Sequence, residues 1–267
     1  MMKSATLLLF LLACVALVNA QNQKAIFILA GQSNMAGRGG INYVNATPEI
    51  PNGQVWDHYI PPECQSNPHI LRLNANLTWV VANEPLHADI DSPKKTCGVG
   101  PGMAFANEAL KRRSSLGVIG LVPCAKGGTG MFEWGRGTIL YNRTMKRAAA
   151  ALRGGGKLHA LLWYQGEFEA ETGVGSFAMD VPRFFMSLRE DLKVPRLPII
   201  QVALPPNVLR NYTKEIRNIQ LNLKLPFLTT VDAIGSELNT ADHVHLTTPS
   251  QVKLGKKMAM AFVNMIH

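Results

Sequence analysis

Short apolar runs alternate with amphipathic stretches along most of this chain. The apolar runs predict buried strands at 25–29, 118–122, 160–164, 198–203 and 227–231. Between them, apolar positions recur at helical spacing and predict helices at 103–113, 139–153, 181–192, 214–223 and 249–264. Continuous apolar strands separated by helices are typical of a parallel sheet covered on both faces. The pattern therefore predicts an α/β fold, a three-layer α/β/α sandwich with a central parallel sheet.

One long segment, residues 37–98, does not fit the alternation. It is rich in Pro, Asn and Gly and shows no sustained periodicity. Because loops of this length in compact domains usually carry a function, we expect an irregular excursion over the edge or the active face of the sheet. Since no internal repeat or low-complexity tract divides the chain, residues 21–267 are predicted to form a single domain.

The first twenty residues have the pattern of a secretory signal peptide. Lys3 precedes an apolar run at 7–18, and small residues close the segment. The run is short for a membrane span, which needs about 20 apolar residues, although a signal anchor remains the alternative. We therefore expect cleavage near residue 20 and a secreted, extracellular protein without a membrane anchor, located in the cell wall or apoplast if the source is a plant.

Four N-x-Thr sequons are consistent with a secreted glycoprotein. Each sequon alone is a weak signal, because the pattern also arises by chance. The predicted glycosylation sites are Asn45, Asn76, Asn142 and Asn211.

The cysteines predict one disulfide. Cys14 lies in the predicted signal peptide, so three cysteines remain in the mature chain. An odd number in an oxidising compartment suggests one bridge and one free thiol. Cys64 and Cys97 lie in loop-like sequence and are the expected pair, whereas Cys124 ends an apolar run and is expected to be buried.

The formal net charge of +9 limits the possible classes of binding partner but does not identify one. A basic surface attracts nucleic acid, membranes or acidic polysaccharide. The chain has no nucleic-acid-binding motif, so nucleic acid is not expected, whereas attraction to an acidic glycan such as a cell-wall polysaccharide fits a secreted protein. A solvated basic surface without any partner is an equally good interpretation. No C-x-x-C or His-rich spacing predicts a metal site.

Polar clusters follow three of the predicted strands. They are 31–37 (GQSNMAG), 125–130 (AKGGTG) and 165–167 (QGE), and a fourth cluster at 242–245 (DHVH) precedes the last helix. Ligands of open α/β sheets bind beyond the carboxyl ends of the strands. The four clusters are therefore expected to meet in one site.

Ser33 is the candidate nucleophile of that site. A serine at the start of a helix is often only an N-cap, and this alternative would be favoured if Ser33 stood alone. A nucleophilic serine needs a base, and the base needs an orienting acid. Asp242 and His245 supply both from one loop. His243 competes as the base, but it directly follows Asp242 and would have to fold back to be oriented by it.

Three donors are candidates for an oxyanion hole. The N–H of Ser33, the N–H of Gly128 and the side-chain amide of Gln165 all lie at predicted strand ends. Gln165 has an alternative role, in which it satisfies backbone groups of a loop. The glycine pair at 127–128 is not a phosphate-binding P-loop, because no Lys-Ser/Thr follows it. The predicted substrate contacts are Gln32, Asn34, Gly127 and Glu167.

Together, the motifs at 31–37, 163–167 (WYQGE) and 242–248 resemble those of plant carbohydrate esterases with a SASA domain. These are relatives of sialate O-acetylesterases and of carbohydrate esterase family 6 acetylxylan esterases. The similarity extends over nearly all of the chain after residue 20, including Cys64 and the segment 98–105. It implies an SGNH-hydrolase fold of the flavodoxin-like type and removal of O-acetyl groups by a Ser-His-Asp triad. It also implies the oxyanion hole named above.

The chain departs from the family pattern at two places. Phe168 and Glu169 stand where the family usually has Ser-Asp, and Lys126 stands where it usually has a small residue. Neither departure removes a triad residue. The sequence therefore predicts a serine esterase that deacetylates carbohydrate through an acyl-enzyme without a cofactor. A glycan-binding protein that keeps the scaffold with little or no turnover is the alternative.

Overall fold

A computed structural model describes residues 23–266, so the predicted signal peptide lies outside the described residues. A seven-stranded sheet forms the centre, in the order β5-β4-β6-β1-β7-β8-β9 with only β5 antiparallel to its neighbour. β2 and β3 form a separate antiparallel hairpin. The strands are β1 (Lys24–Gly31), β2 (Ile41–Tyr43), β3 (Gln54–Trp56), β4 (Ile70–Leu73), β5 (Trp79–Val81), β6 (Ile119–Pro123), β7 (Gly156–Tyr164), β8 (Ile199–Ala203) and β9 (Leu228–Asp232).

Seven α-helices occur in the described part of the chain. They are α1 (Ser33–Ala36), α2 (Pro101–Arg112), α3 (Ile139–Leu152), α4 (Glu167–Thr172), α5 (Phe177–Asp191), α6 (Thr213–Asn222) and α7 (Thr248–Met265). No helix between residues 23 and 266 has the length and apolar character needed to cross a membrane.

The helices cover both faces of the sheet. On one face, Phe27 of β1 packs against Phe105 of α2 and Phe262 of α7, with ring centroids 5.0 and 4.9 Å away. Trp163 of β7 pairs with Ala30, three residues beyond Phe27, so alternation along the strand directs its ring to the opposite face. There it packs against Phe184 of α5 at 4.7 Å. The predicted α/β sandwich with a mostly parallel central sheet is confirmed.

The segment 37–98 differs from the expected irregular excursion. It contributes the β2–β3 hairpin and also β4 and β5, which extend the sheet beyond β6. These strands contain only three or four residues each and are partly exposed. Such short elements carry too few periodic positions for a sequence pattern to reveal them.

The predicted disulfide between Cys64 and Cys97 is absent. Cys64, Cys97 and Cys124 are all free and buried. Cys64 belongs to the apolar core, whereas the Cys97 sulfur lies 3.5 Å from the Arg38 guanidinium. The two thiols therefore occupy different environments, and the prediction of a bridge was wrong. Burial of Cys124 is as expected.

A buried ion pair ties the segment 37–98 to the end of β6. The Arg38 guanidinium contacts Asp91, and neither side chain is more than 2% exposed. The other Asp91 oxygen accepts from the N–H of Gly127 at 2.9 Å and from that of Ser92 at 2.7 Å. Burial acts to raise the pKa of Asp91, but the Arg38 charge and these donors lower it below its usual range. The carboxylate therefore stays ionised inside the protein.

We expect Arg38→Met to lower the free energy of unfolding by about 3–5 kcal/mol, because it leaves the Asp91 carboxylate buried without its counter-charge. Adding Asp91→Asn removes that charge but keeps an oxygen for Gly127, so the double variant should recover part of the loss. Urea denaturation of both variants measures this. A cost below about 1 kcal/mol for Arg38→Met would show that the pair does not stabilise the fold.

Candidate active site

The polar clusters predicted from the sequence meet at the carboxyl ends of β1, β6 and β7. β1 lies in the middle, with β6 on one side and β7 on the other. After β1 the chain builds β4, β5 and β6 on one side of it, and then β7, β8 and β9 on the other, so the direction of strand addition reverses at β1. Such a reversal opens a crevice at the strand ends, where ligands bind.

The turn after β1 places Ser33 at the mouth of this crevice. Gly31 has a φ of +121°, and a Cβ there would lie 2.0 Å from the carbonyl oxygen of Tyr164. Only glycine permits so close an approach. Gln32 precedes α1, and Ser33 is the first residue of that helix. Ser33 is 5% exposed. The alternative role of Ser33 as an N-cap is therefore not observed.

Ser33, His245 and Asp242 form a continuous hydrogen-bonded path. His245 Nε2 lies 2.9 Å from Ser33 Oγ, and His245 Nδ1 lies 2.6 Å from Asp242 Oδ2. The His245 and Asp242 side chains are 19% and 18% exposed. With Nδ1 bonded to the carboxylate, Nε2 is free to accept the serine proton. This is the geometry of a nucleophile, a base and an orienting acid.

Asp242 is held as an anion by its surroundings. Its Oδ1 accepts from the backbone N–H groups of Val244 at 2.8 Å and His245 at 2.9 Å. Burial acts to raise the pKa of Asp242, but the hydrogen bonds and charge of His245 outweigh it. The pKa is therefore held well below its usual range.

His243 makes no ring hydrogen bond to a described residue. Its backbone has a φ of +54°, its N–H donates to Asn239 O, and its carbonyl accepts from the N–H of Leu209. The residue thus shapes the loop, while the imidazole that reaches Ser33 is that of His245.

Asn34 and Glu167, predicted as substrate contacts, bond to each other. The Asn34 amide donates to Glu167 Oε1 at 2.7 Å and to Val244 O at 3.1 Å, and its oxygen accepts from Leu246 N at 2.9 Å. Asn34 is fully buried and Glu167 is 3% exposed. These positions differ from the prediction, because both side chains face the interior and hold the loop that carries His245.

Gln32 and Gly127, the other two predicted substrate contacts, flank Ser33. Gln32 is 4% exposed, and its side-chain oxygen accepts from Phe168 N at 3.3 Å. A Cβ on Gly127 would lie 3.3 Å from the Cβ of Ser33, so this backbone passes directly beside the serine. The Gly127 N–H is already bonded to Asp91.

The amide of Gly128 follows at the same strand end. No described residue accepts a hydrogen bond from its N–H or from that of Ser33. Both are backbone donors at the serine, as an oxyanion hole requires.

Gln165 has partners that the oxyanion prediction did not include. Its amide nitrogen donates to Thr129 O at 2.6 Å and lies 3.4 Å from Glu169 Oε2. The side chain is fully buried. In this arrangement the amide ties the loop after β6 to the end of β7, which matches the alternative loop-structuring role. Both N–H groups are engaged, so the side chain offers no free donor to an oxyanion.

Several residues around the site were not anticipated. Tyr43 contacts Asp242, Arg38 and Asp91 fix Gly127, and the Lys95 ammonium lies close to Gly128. All four of these side chains belong to the segment 37–98, where no periodic pattern signals them. Within residues 23–266, no group of His, Cys, Asp and Glu is arranged to hold a metal ion.

Two structures of low sequence identity share this fold. NanS superposes with a TM-score of 0.69 at 17% identity, covering 91% of this chain and 97% of that one. A carbohydrate acetylesterase of Xanthomonas citri gives a TM-score of 0.56 at 20% identity, covering 89% of this chain and 55% of that one. At these identities the similarity establishes the fold alone.

More similar proteins establish the family. A protein of Arabidopsis thaliana named a probable carbohydrate esterase is 49% identical over 243 residues, which cover 90% of each chain. An X-ray structure of an Arabidopsis thaliana protein has a TM-score of 0.83 at 48% identity, covering 91% of this chain and 98% of that one. The sequence model of the SASA family, described as "Carbohydrate esterase, sialic acid-specific acetylesterase", matches residues 23–264. The chain therefore belongs to the SASA family of carbohydrate esterases.

Proposed function

We propose that this protein is a secreted serine esterase that removes O-acetyl groups from acetylated carbohydrate. One observation carries the proposal. In a chain of a carbohydrate esterase family, Ser33 Oγ lies 2.9 Å from His245 Nε2, whose other ring nitrogen is bonded to Asp242. This path lets Ser33 lose its proton as it attacks a carbonyl carbon.

The reaction follows from the roles of these atoms. Ser33 Oγ forms a bond to the acetyl carbonyl carbon while His245 Nε2 takes the hydroxyl proton, and Asp242 stabilises the resulting imidazolium. The N–H groups of Ser33 and Gly128 stabilise the oxyanion. The tetrahedral intermediate expels the sugar oxygen, which receives the proton from His245. Water then attacks the acetyl-serine while His245 takes its proton. The second tetrahedral intermediate expels Ser33 Oγ, which regains the proton from His245, and acetate is released.

The alternative, a glycan-binding protein with little or no turnover on the same scaffold, has less support. A binding protein has no need of a serine, an imidazole and a carboxylate in hydrogen-bond contact. Asn34 and Glu167 hold the His245 loop from the interior, an arrangement that a surface glycan site does not require. Such support from the interior is expected where a base must be positioned.

We further propose that the preferred carbohydrate is acidic, such as a cell-wall polysaccharide with uronic acid residues. The support is positive charge beside Gly128. The Lys95 ammonium lies there, and Lys126 directly precedes the glycine pair. Burial and the nearby Arg38 charge lower the pKa of Lys95, so an anion at this point would relieve the repulsion among these cations.

Secretion and glycosylation rest on the sequence pattern. The side chains of Asn45, Asn76, Asn142 and Asn211 are all exposed, as glycan attachment requires. The Asn142 sequon lies within α3, where the hydroxyl of its Thr144 is buried and bonded to Leu140 O. We therefore propose the other three sequons as the glycosylated ones.

Ser33→Ala should abolish covalent labelling by a fluorophosphonate and lower acetate release by about 10,000-fold or more, because the triad acts as a unit. The free energy of unfolding should change by only about 1 kcal/mol or less, since one hydrogen bond is lost. Mass spectrometry of the labelled protein and an acetate assay on acetylated xylan check this. Labelling retained in Ser33→Ala would remove Ser33 from the mechanism.

His245→Ala and His243→Ala form a matched pair of variants. Loss of His245 removes the base and should reduce kcat about as severely as Ser33→Ala. Loss of the His243 ring, which bonds to no described residue, should leave kcat within about tenfold of the unmodified enzyme. A steady-state assay with a chromogenic acetate ester measures both. Greater damage from His243→Ala would overturn the assignment of the base.

Lys95→Gln tests the acidic substrate. With acetylated galacturonan oligosaccharides, KM should rise about 2–5-fold at low salt, the range expected for one partly exposed ion pair. The increase should shrink at high salt and be absent with neutral acetylated xylo-oligosaccharides. Lys94→Gln, the same change at the adjacent exposed lysine, is the control. An equal effect of both variants would contradict a specific role for Lys95.

A further inference from the structure

Tyr43 makes a contact with the triad that the mechanism above does not use. It ends β2 and pairs with Gln54 across the β2–β3 hairpin. Its hydroxyl is bonded to Asp242 Oδ2 and lies 3.4 Å from His245 Nδ1. The residue is 39% exposed, so the ring stands at the surface while its hydroxyl reaches the carboxylate.

The direction of this hydrogen bond follows from the charges. Asp242 is ionised, and a carboxylate only accepts hydrogen bonds, so the Tyr43 hydroxyl must be the donor. Burial and the bond to Asp242 raise the pKa of Tyr43 well above its usual range, which keeps the hydroxyl proton in place. The Tyr43 hydroxyl therefore keeps its proton and stays a donor to Asp242.

Asp242 Oδ2 thus accepts two hydrogen bonds, and these have opposite effects on how strongly Asp242 stabilises the imidazolium of His245. The His245 Nδ1–H bond uses the carboxylate to stabilise an imidazolium, whereas the Tyr43 O–H bond stabilises the carboxylate itself and weakens its attraction for that proton. The other oxygen, Oδ1, is already occupied by two backbone N–H groups. No described side chain other than Tyr43 and His245 donates to Asp242.

We propose that Tyr43 is a positioning residue that tunes Asp242. It fixes the carboxylate toward His245, and it limits how tightly the carboxylate holds the imidazolium. The proposal rests on the proposed esterase function. It makes the β2–β3 hairpin part of the active centre rather than a surface excursion.

Other titratable groups near the pair act more weakly. The positive charge of Arg38 acts on Tyr43 and opposes the upward shift of the tyrosine pKa. His243 directly follows Asp242 in the chain. Glu167 lies in the interior behind Asn34 and has no bond to Asp242 or His245. None of them replaces the hydroxyl at Oδ2.

Tyr43→Phe keeps the ring and removes only the donor. The carboxylate then holds the imidazolium more tightly, so the base becomes available only at higher pH. We expect the acidic limb of the kcat/KM profile to move up by about 0.5–1 pH unit, which lowers kcat/KM about 3–10-fold below the limb. On the plateau, kcat/KM should stay within about threefold of the unmodified enzyme, and KM should not change. Tyr59→Phe, in the same segment and 59% exposed, is the matched control.

A purely structural role for Tyr43 gives a different result. It would lower the melting temperature or raise KM while leaving the acidic limb in place, and that outcome would overturn the proposal. An NMR titration of the His245 ring, assigned by comparison with His245→Ala, follows the same proton without turnover. If the unmodified protein released no acetate, the esterase function would fail, yet the NMR midpoint would still support or overturn the role of Tyr43.

Discussion

One buried side-chain amide sets the distance between the Ser33 hydroxyl and the His245 ring. Asn34 follows Ser33 in α1, and its amide bonds to Val244 O and Leu246 N, the two residues that flank His245. The loop from the far end of the sequence is thereby fixed against the first turn after β1. Because an unpaired buried amide costs about 1–3 kcal/mol, any displacement of this loop is penalised. The contact between Ser33 and His245 depends on this constraint.

Two buried acidic residues support the site from opposite sides. Burial raises the pKa of Glu167 to about 7, and the residue accepts from Asn34 on the β7 side. On the β6 side, Asp91 stays ionised against Arg38 and holds the backbone of Gly127 beside the serine. The crevice is therefore shaped by interior hydrogen bonds, which leave the backbone N–H groups of Ser33 and Gly128 without a partner among the described residues.

The departures from the family pattern leave the hydrogen-bonded path from Ser33 through His245 to Asp242 unchanged. Glu169 accepts from the N–H of Met131 and so fixes the turn after the glycine pair. The Phe168 ring packs against the exposed Phe132 with centroids 5.9 Å apart. Lys126 adds positive charge at the end of β6. Phe168 and Phe132 thus add aromatic surface, and Lys126 adds positive charge, beside the crevice that holds Ser33.

The sequence alone determined the layered α/β fold and brought Ser33, Asp242 and His245 forward as candidates, because strand and helix periodicity and the serine, acid and base motifs are local patterns. It did not determine the positions of Asn34 and Glu167, since burial of a polar side chain depends on distant partners. Nor did it reveal Tyr43 or the other contacts made by the segment 37–98. That segment has no sustained hydrophobic periodicity from which its structure could be predicted. Tertiary packing against the strand ends and the loop of His245 decides which of its side chains reach the site.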